Sequence, residues 1–238
     1  MHRFYAPDIE CAMLLPEEEA QHCVRVLRLV PGDIIEVVDG KGNLFRCKIV
    51  EASKQKCEVE IVDRLAIPPH WNCNITIAIA PTKNADRLEW MVEKCVEMGV
   101  DRIVPILCRY SERKVLRVDR LQKIAVSAMK QSLKTTLPVI DELTPIADVI
   151  RSGFDGQRFI AYCDKDTERK NFVKEYAAGG NVLVMIGPEG DFSAEEVALS
   201  LANGFQPVTF GESRLRTETA GIFACAAVHS KIQMTKLG

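Results

Sequence analysis

The sequence predicts an α/β protein in two parts, a small β-barrel over residues 1–70 and a parallel-sheet domain over 71–238. Three features point there. Up to residue 62, short apolar runs with partial period-2 alternation are separated by Gly-bearing turns, as in half-buried antiparallel strands. Pro68-Pro69-His70-Trp71 then forms a stiff linker. Beyond it, strand-length apolar runs alternate with helical stretches, the pattern of parallel strands covered on both faces.

In the first part, Gly32-Asp33 and Asp39-Gly40-Lys41-Gly42-Asn43 bracket a strand at 34–38, and 44–50 and 57–62 supply two more. Residues 17–25, after Pro16, are its expected helix. In the second part a strand at 73–80 leads to a helix at 86–98, with Leu88, Met91, Val92, Cys95 and Val96 on one face and Gly99 as its stop. After a strand at 103–107, Asp119 is the expected cap of a helix that buries Leu121, Ile124, Ala125, Ala128 and Met129 and ends before Pro138. A strand at 159–163, a helix at 168–177 and a strand at 182–186 follow. Ser193 and Glu196 make a capping box for a helix closed by Gly204; a strand at 208–210 and a helix at 217–235 complete the chain.

Composition narrows the function classes. The 238 residues are 47% hydrophobic, no apolar run approaches the roughly 20 residues of a membrane span, and the first residues lack a signal-peptide core, so a cytoplasmic protein with no membrane partner is expected. The nine cysteines are scattered without a Cys-x-x-Cys pair, which argues for reduced packing residues and no metal site. A net charge of −2 gives no global sign of nucleic-acid binding. Charge distribution does: Arg109, Arg113, Lys114, Arg117, Arg120, Lys123, Lys130 and Lys134 face only Glu112 and Asp119 between residues 109 and 134. That is a phosphate-contacting surface or a solvated helix face.

The chemistry concentrates late. The apolar run 182–186 breaks into Gly187-Pro188-Glu189-Gly190-Asp191-Phe192-Ser193, and Val208-Thr209-Phe210 breaks into Gly211-Glu212-Ser213-Arg214-Leu215-Arg216-Thr217-Glu218-Thr219-Ala220-Gly221. Glycine lets backbone groups approach a ligand and Pro188 fixes one backbone angle, so two strand ends offer preformed cradles where open α/β sheets bind small molecules. The first strand of the domain is instead followed by Pro81-Thr82-Lys83-Asn84, without glycine, which argues against an ordinary Rossmann site.

Gly187-Pro188-Glu189-Gly190 with Phe192-Ser193, then Gly211-x-x-x-Leu215-Arg216-Thr217-Glu218-Thr219-Ala220, resemble the two carboxyl-terminal signatures of the RsmE family of SPOUT-class methyltransferases. The resemblance extends to Lys83, Asp86-Arg87, Lys94-Cys95-Val96-Glu97-Met98-Gly99-Val100, Arg3-Phe4, and His22 with Val26-Leu27-Arg28. It implies a PUA-like barrel, a trefoil-knotted α/β domain, S-adenosylmethionine as cofactor, a homodimer, and methylation of uridine N3 in 16S ribosomal RNA of the small ribosomal subunit. By the same resemblance Ile186, Gly187, Pro188, Glu189, Gly190, Phe210, Gly211, Leu215, Arg216, Thr217 and Thr219 line the cofactor pocket. Three positions depart from the family pattern: Asp191 stands where a second glycine is common, and Lys130 and Lys134 stand where Glu and Arg are frequent.

Uracil N3 is a poor nucleophile until its proton leaves. Arg216 is therefore the candidate to stabilise developing negative charge on a uracil oxygen, and Glu218 the candidate proton acceptor. Glu218 also fits a helix-start acid complementing the macrodipole, and Glu189 either favours the cationic sulfonium or is a solvated turn acid. RNA contacts are assigned to Arg3, His22, Arg25 and Arg28 in the barrel and to Lys83, Arg87, Arg113, Lys114 and Arg117 in the second part. His229, in an apolar helix, is a packing or interface residue. Two further function classes stay open: an inactive ribosome-associated RNA-binding protein of the same fold, and a metabolic nucleotide-using α/β enzyme.

Overall fold

A computed structural model describes residues 2–53, 56–163 and 169–236. By contact the chain divides into two compact units, Met1–His70 with Val126–Leu137, and Trp71–Ala125 with Pro138–Gly238.

The first unit opens with β1 (Arg3–Tyr5), α1 (Ile9–Ala12), α2 (Glu17–Gln21) and a π-helical turn (His22–Val26), followed by β2 (Ile34–Val38), β3 (Asn43–Ala52) and β4 (Cys57–Ala66). Its sheet runs β1-β2-β3-β4; β1 lies parallel to β2, and the two later pairings are antiparallel. The register sets Ile35 opposite Cys47 and Ile49 opposite Val59, so alternate residues gather with Phe4, Val37 and Phe45 in one core, and Ala20 and Cys23 cover it from the helical side. The expected helix at 17–25 changes pitch at His22: Leu27 N–H donates to His22 O, five residues back, and Arg28 follows in a left-handed conformation (φ 56°). The Gly-rich turn after β2 seats residues 135–137, with Gly42 N–H donating to Thr135 O and Leu137 N–H to Gly40 O. Lys130, one of the departures from the family pattern, is ion-paired with the buried Glu19.

The second unit contains β5 (Ile75–Ile79), α3 (Ala85–Met98), β6 (Arg102–Leu107), α4 (Val118–Gln131, whose residues from Val126 group with the first unit), β7 (Val139–Ile140), β8 (Thr144–Pro145) and α5 (Ile146–Arg151). Then come β9 (Gln157–Ala161), β10 (Lys170–Asn171), α6 (Phe172–Glu175), β11 (Val182–Ile186), α7 (Ala194–Ala202), β12 (Gln206–Thr209) and α8 (Thr217–Lys236). All pairings are parallel, in the order β10-β12-β9-β11-β5-β6-β7, with β8 added against β6. β11 is buried along its whole length between β5 and β9, which its unbroken apolar run foretold.

The apolar face of α3 is buried as expected and Gly99 ends the helix at φ 115°. The Ser193–Glu196 capping box is present. Two expectations need correction. The helix expected at 168–177 shrinks to α6: Lys170 and Asn171 extend as β10 beside β12, and Asn171 then caps the short turn by accepting Val173 N–H (Glu168 lies outside the described residues). Asp119 is not the cap of α4 but sits inside its first turn, where its carboxylate faces Arg117. His229 is a packing residue, 7% exposed, edge-on to Trp71 with Nε2 2.9 Å from Gly99 O.

Candidate functional site

Three neighbouring strands of the second unit, β11, β9 and β12, end side by side, and their carboxyl ends enclose a cavity of about 1000 Å³. The first wall is the loop after β11: Ile186, Gly187, Pro188, Glu189 and Asp191. The second is the segment from Val208 through the loop after β12 into α8, including Phe210, Gly211, Leu215, Arg216, Thr217, Glu218 and Ala220. The third follows β9 and was not foreseen from the sequence: Ala161, Tyr162, Cys163, Arg169 and Asn171. Its signal was available, because the rule that ligands sit at carboxyl strand ends applies to the strand expected at 159–163 as much as to the other two.

The loops are tied together by few but specific bonds. Thr217 Oγ1 donates to Gly187 O at 3.2 Å, which joins the start of α8 to the first loop. Glu189 does not point freely into solvent: its Oε1 accepts the N–H of Lys83 at 3.0 Å. Asp191 takes the left-handed conformation (φ 64°), which explains why glycine suits this position. Its carboxylate accepts Cys163 N–H at 2.8 Å and Phe192 N–H at 2.9 Å, and so fastens the loop after β9 to the loop after β11. Gly211 stands at φ 128° with open space where a Cβ would lie, so its need for glycine is conformational and not steric.

Of the residues expected to hold a cofactor, nine line the cavity: Ile186, Gly187, Pro188, Glu189, Phe210, Gly211, Leu215, Arg216 and Thr217. Gly190 and Thr219 are not among the lining residues; Gly190 instead backs onto Tyr110. Both candidate catalytic residues reach the cavity. Arg216 is exposed there, whereas Glu218 is 5% exposed and its Oε1 lies 3.7 Å from Arg87 Nε. Arg87, expected at an RNA face, is thus a wall of the same cavity. Phe210 continues into an aromatic cluster, edge-on to Phe172 at 5.5 Å and tilted against Phe223 at 5.2 Å between ring centres.

The remaining expected RNA contacts separate into two sorts. His22, Arg25 and Arg28 are exposed on and just after the π-helical turn, and Lys114 and Arg117 are exposed in the second unit, Arg117 beside Asp119. Arg3 is engaged by Glu36 through Nε and Nη2, with its side chain 10% exposed. Arg113 is a brace: Nε donates to Thr82 O and Nη2 to Lys83 O. Lys83 Nζ meets Glu112 at 2.9 Å, and that carboxylate raises the ammonium above its usual range. Among the described residues no group of His, Cys, Asp and Glu is arranged to hold a metal, and no helix is long and apolar enough to cross a membrane.

A parallel sheet whose ligand cavity is built mainly from the last third of the chain, in a chain that also carries a small mainly antiparallel β unit, defines a two-part α/β ligand-binding protein. Residues 69–229 match the family model described as an RNA methyltransferase domain, and residues 15–62 match the RNA methyltransferase PUA domain. The chain belongs to that RNA methyltransferase family. It is 28% identical to the ribosomal RNA small subunit methyltransferase E of Aquifex aeolicus, over 92% of this chain and 95% of that one. The crystal structure of a probable rRNA-methyltransferase from Porphyromonas gingivalis superposes with a TM-score of 0.93 at 46% identity, covering 99% of this chain and 100% of that one. A ribosomal RNA small subunit methyltransferase E from Neisseria gonorrhoeae, bound to S-adenosyl methionine, gives a TM-score of 0.83 at 29% identity, with 97% of each chain covered. The RsmE resemblance carried by the two loop signatures is met by these relatives.

Proposed function

We propose that this protein methylates N3 of a uridine in 16S ribosomal RNA, using S-adenosylmethionine. The observation that carries the proposal is the cavity itself, formed by both signature loops in a chain whose family and relatives are RNA methyltransferases. The residues present fit the cofactor. The volume is at the upper end of the roughly 300–1,000 Å³ range of small-molecule sites, Ile186, Val208, Phe210 and Leu215 offer apolar surface for a base, and the carboxylates of Glu189, Asp191 and Glu218 suit a cationic ligand.

S-adenosylmethionine supplies the methyl group when bound. The protein must supply position and proton management. Arg216, exposed at the cavity wall, offers N–H donors to a uracil oxygen and stabilises the negative charge that grows as N3 loses its proton. Glu218 receives that proton, directly or through a water, and Arg87 keeps the carboxylate oriented toward the cavity. The exposed cations around the π-helical turn and at Lys114 and Arg117 hold the RNA backbone, in a cytoplasmic homodimer with the trefoil threading of the SPOUT class. The domains of this proposal are the RNA-binding 1–70 and the methyltransferase 71–238.

Calorimetry with S-adenosylmethionine and transfer of labelled methyl to small ribosomal subunits lacking the modification test this. Binding at micromolar ligand and incorporation at one uridine are expected. Binding without incorporation would favour an RNA-binding protein that has lost activity, and no binding at millimolar ligand would overturn the proposal.

A further inference from the structure

We propose that Tyr110 is a stacking seat for an unpaired RNA base beside the cavity, a contact that rests on the RNA-methyltransferase function argued above. Tyr110 lies on the turn that follows β6, and that turn is fixed by hydrogen bonds to its backbone groups. Ser111 Oγ accepts Cys108 N–H at 3.0 Å, Ser111 N–H donates to Cys108 O at 3.1 Å, and Arg109 N–H donates to Glu196 Oε1 at 2.7 Å. Glu196 is the acid of the α7 capping box, so the turn is bolted to a helix start. Ser111 is buried, yet Tyr110 is 50% exposed. An aromatic ring held out by a rigid turn loses little freedom when it is covered by a ligand.

Its place in the fold is next to the cavity without being part of its wall. A Cβ at Gly190 would stand 3.1 Å from Tyr110 Cβ, tighter than most such contacts, so this turn and the first loop approach closely at a glycine. Glu189 and Asp191, on either side of Gly190, both line the cavity. A third segment joins them: Arg113 holds the carbonyls of Thr82 and Lys83, and Lys83 N–H is held by Glu189. Segments 81–84, 108–114 and 187–191 therefore form one cross-tied rim with a half-exposed tyrosine on it.

The rim carries Lys83, Arg109, Arg113 and Lys114 against the acids Glu112, Glu189 and Asp191, with Lys83 paired to Glu112, so the exposed ring lies on a rim that keeps a small excess of cations. Aromatic faces interleaved with cations suit unpaired nucleotides, whose bases stack while their phosphates meet the charge. A protein partner would call for a broader apolar patch than one ring among charges. The chemistry of the site adds a reason. An enzyme that modifies a base must take it out of its stack, and its neighbours then lose a stacking partner. Tyr110 stands where a base flanking the entering uridine can stack instead.

The test uses the full chain with Tyr110→Ala, Tyr110→Phe and Tyr110→Trp, small ribosomal subunits lacking the methyl group, and a short single-stranded oligoribonucleotide that contains uridine. Loss of one base-aromatic stack is expected to weaken RNA binding by about 5- to 100-fold in Tyr110→Ala, while Phe and Trp stay within about twofold because the ring face is kept. S-adenosylmethionine affinity serves as the fold control and stays at the wild-type value. Emission of the Tyr110→Trp protein should be quenched by the oligoribonucleotide more than that of the wild type. Wild-type RNA affinity in Tyr110→Ala, an equal loss in Tyr110→Phe, or unquenched Trp emission would each overturn the stacking seat; an equal loss in Phe would assign the contact to the hydroxyl. Because RNA binding is read without methyl transfer, a wild-type protein that binds RNA but transfers no methyl would refute the activity and leave the seat standing.

Discussion

Asp191 is the residue whose replacement separates conformation from contact. It adopts φ 64°, which costs an L-residue about 1 kcal/mol relative to glycine, and its half-buried carboxylate accepts two backbone N–H bonds from Cys163 and Phe192. Each such bond contributes about 1 kcal/mol when discounted for partial exposure. Asp191→Ala loses both bonds and keeps the backbone strain, a loss of about 2 kcal/mol; Asp191→Gly loses both but relieves the strain, a loss of about 1 kcal/mol. For a chain of this size those values lower the thermal midpoint by roughly 4–8 °C and 2–4 °C. Unfolding followed by circular dichroism measures both, and amide exchange at Cys163 should accelerate in both variants. Affinity for S-adenosylmethionine should fall in both, since two walls of the cavity are no longer fastened. An Ala variant as stable as the Gly variant would refute the strain, and unchanged exchange at Cys163 would refute the clamp.

Three further outcomes follow from the same geometry. Arg216→Ala should abolish methyl transfer while the fold survives, because the side chain is exposed, and Glu218→Gln should lower turnover by about 10²-fold or more with RNA affinity retained; wild-type turnover in either removes that residue from the mechanism. Lys114→Glu should weaken RNA binding and reduce its salt slope by about one unit, whereas Arg113→Glu should also destabilise the protein by freeing the Thr82 and Lys83 carbonyls, so equal thermal midpoints would refute the brace. Burial raises the Asp101 carboxyl above its usual range, despite N–H donors from Trp71 and Ile75. A raised acid contributes stability that is complete below about pH 3.8 and is lost as pH rises through the folded value, so Asp101→Asn should be neutral or stabilising at pH 7 and should flatten the acid side of the stability profile; a marked loss at pH 7 would mean that the charge is needed.

The sequence made legible what repeats along the chain and what punctuates it. The apolar face of α3 and the capping box of α7 needed only periodicity and residue type, and β11 needed only its unbroken Val182–Ile186 run. The helix expected at 168–177 failed because local pattern cannot show that Lys170 and Asn171 find a strand partner 38 residues away in β12. The pitch change at His22 was equally hidden: within that turn Cys23 is buried against β4, its sulfur 3.9 Å from that of Cys57, a contact 34 residues away that local pattern does not show.

The site was legible to the extent that its walls are contiguous in sequence. Two of the three loops carry glycines and could be read directly. The third, after β9, has no such marker and joins the site only because β9 lies between β11 and β12 in the sheet. Asp191 shows the limit most sharply. The family resemblance marked it only as an acid where a second glycine is common. Its φ and its two N–H partners give it another role: an aspartate tolerates the left-handed turn and spends its carboxylate on the neighbouring loop, so the substitution exchanges backbone freedom for a link between two walls.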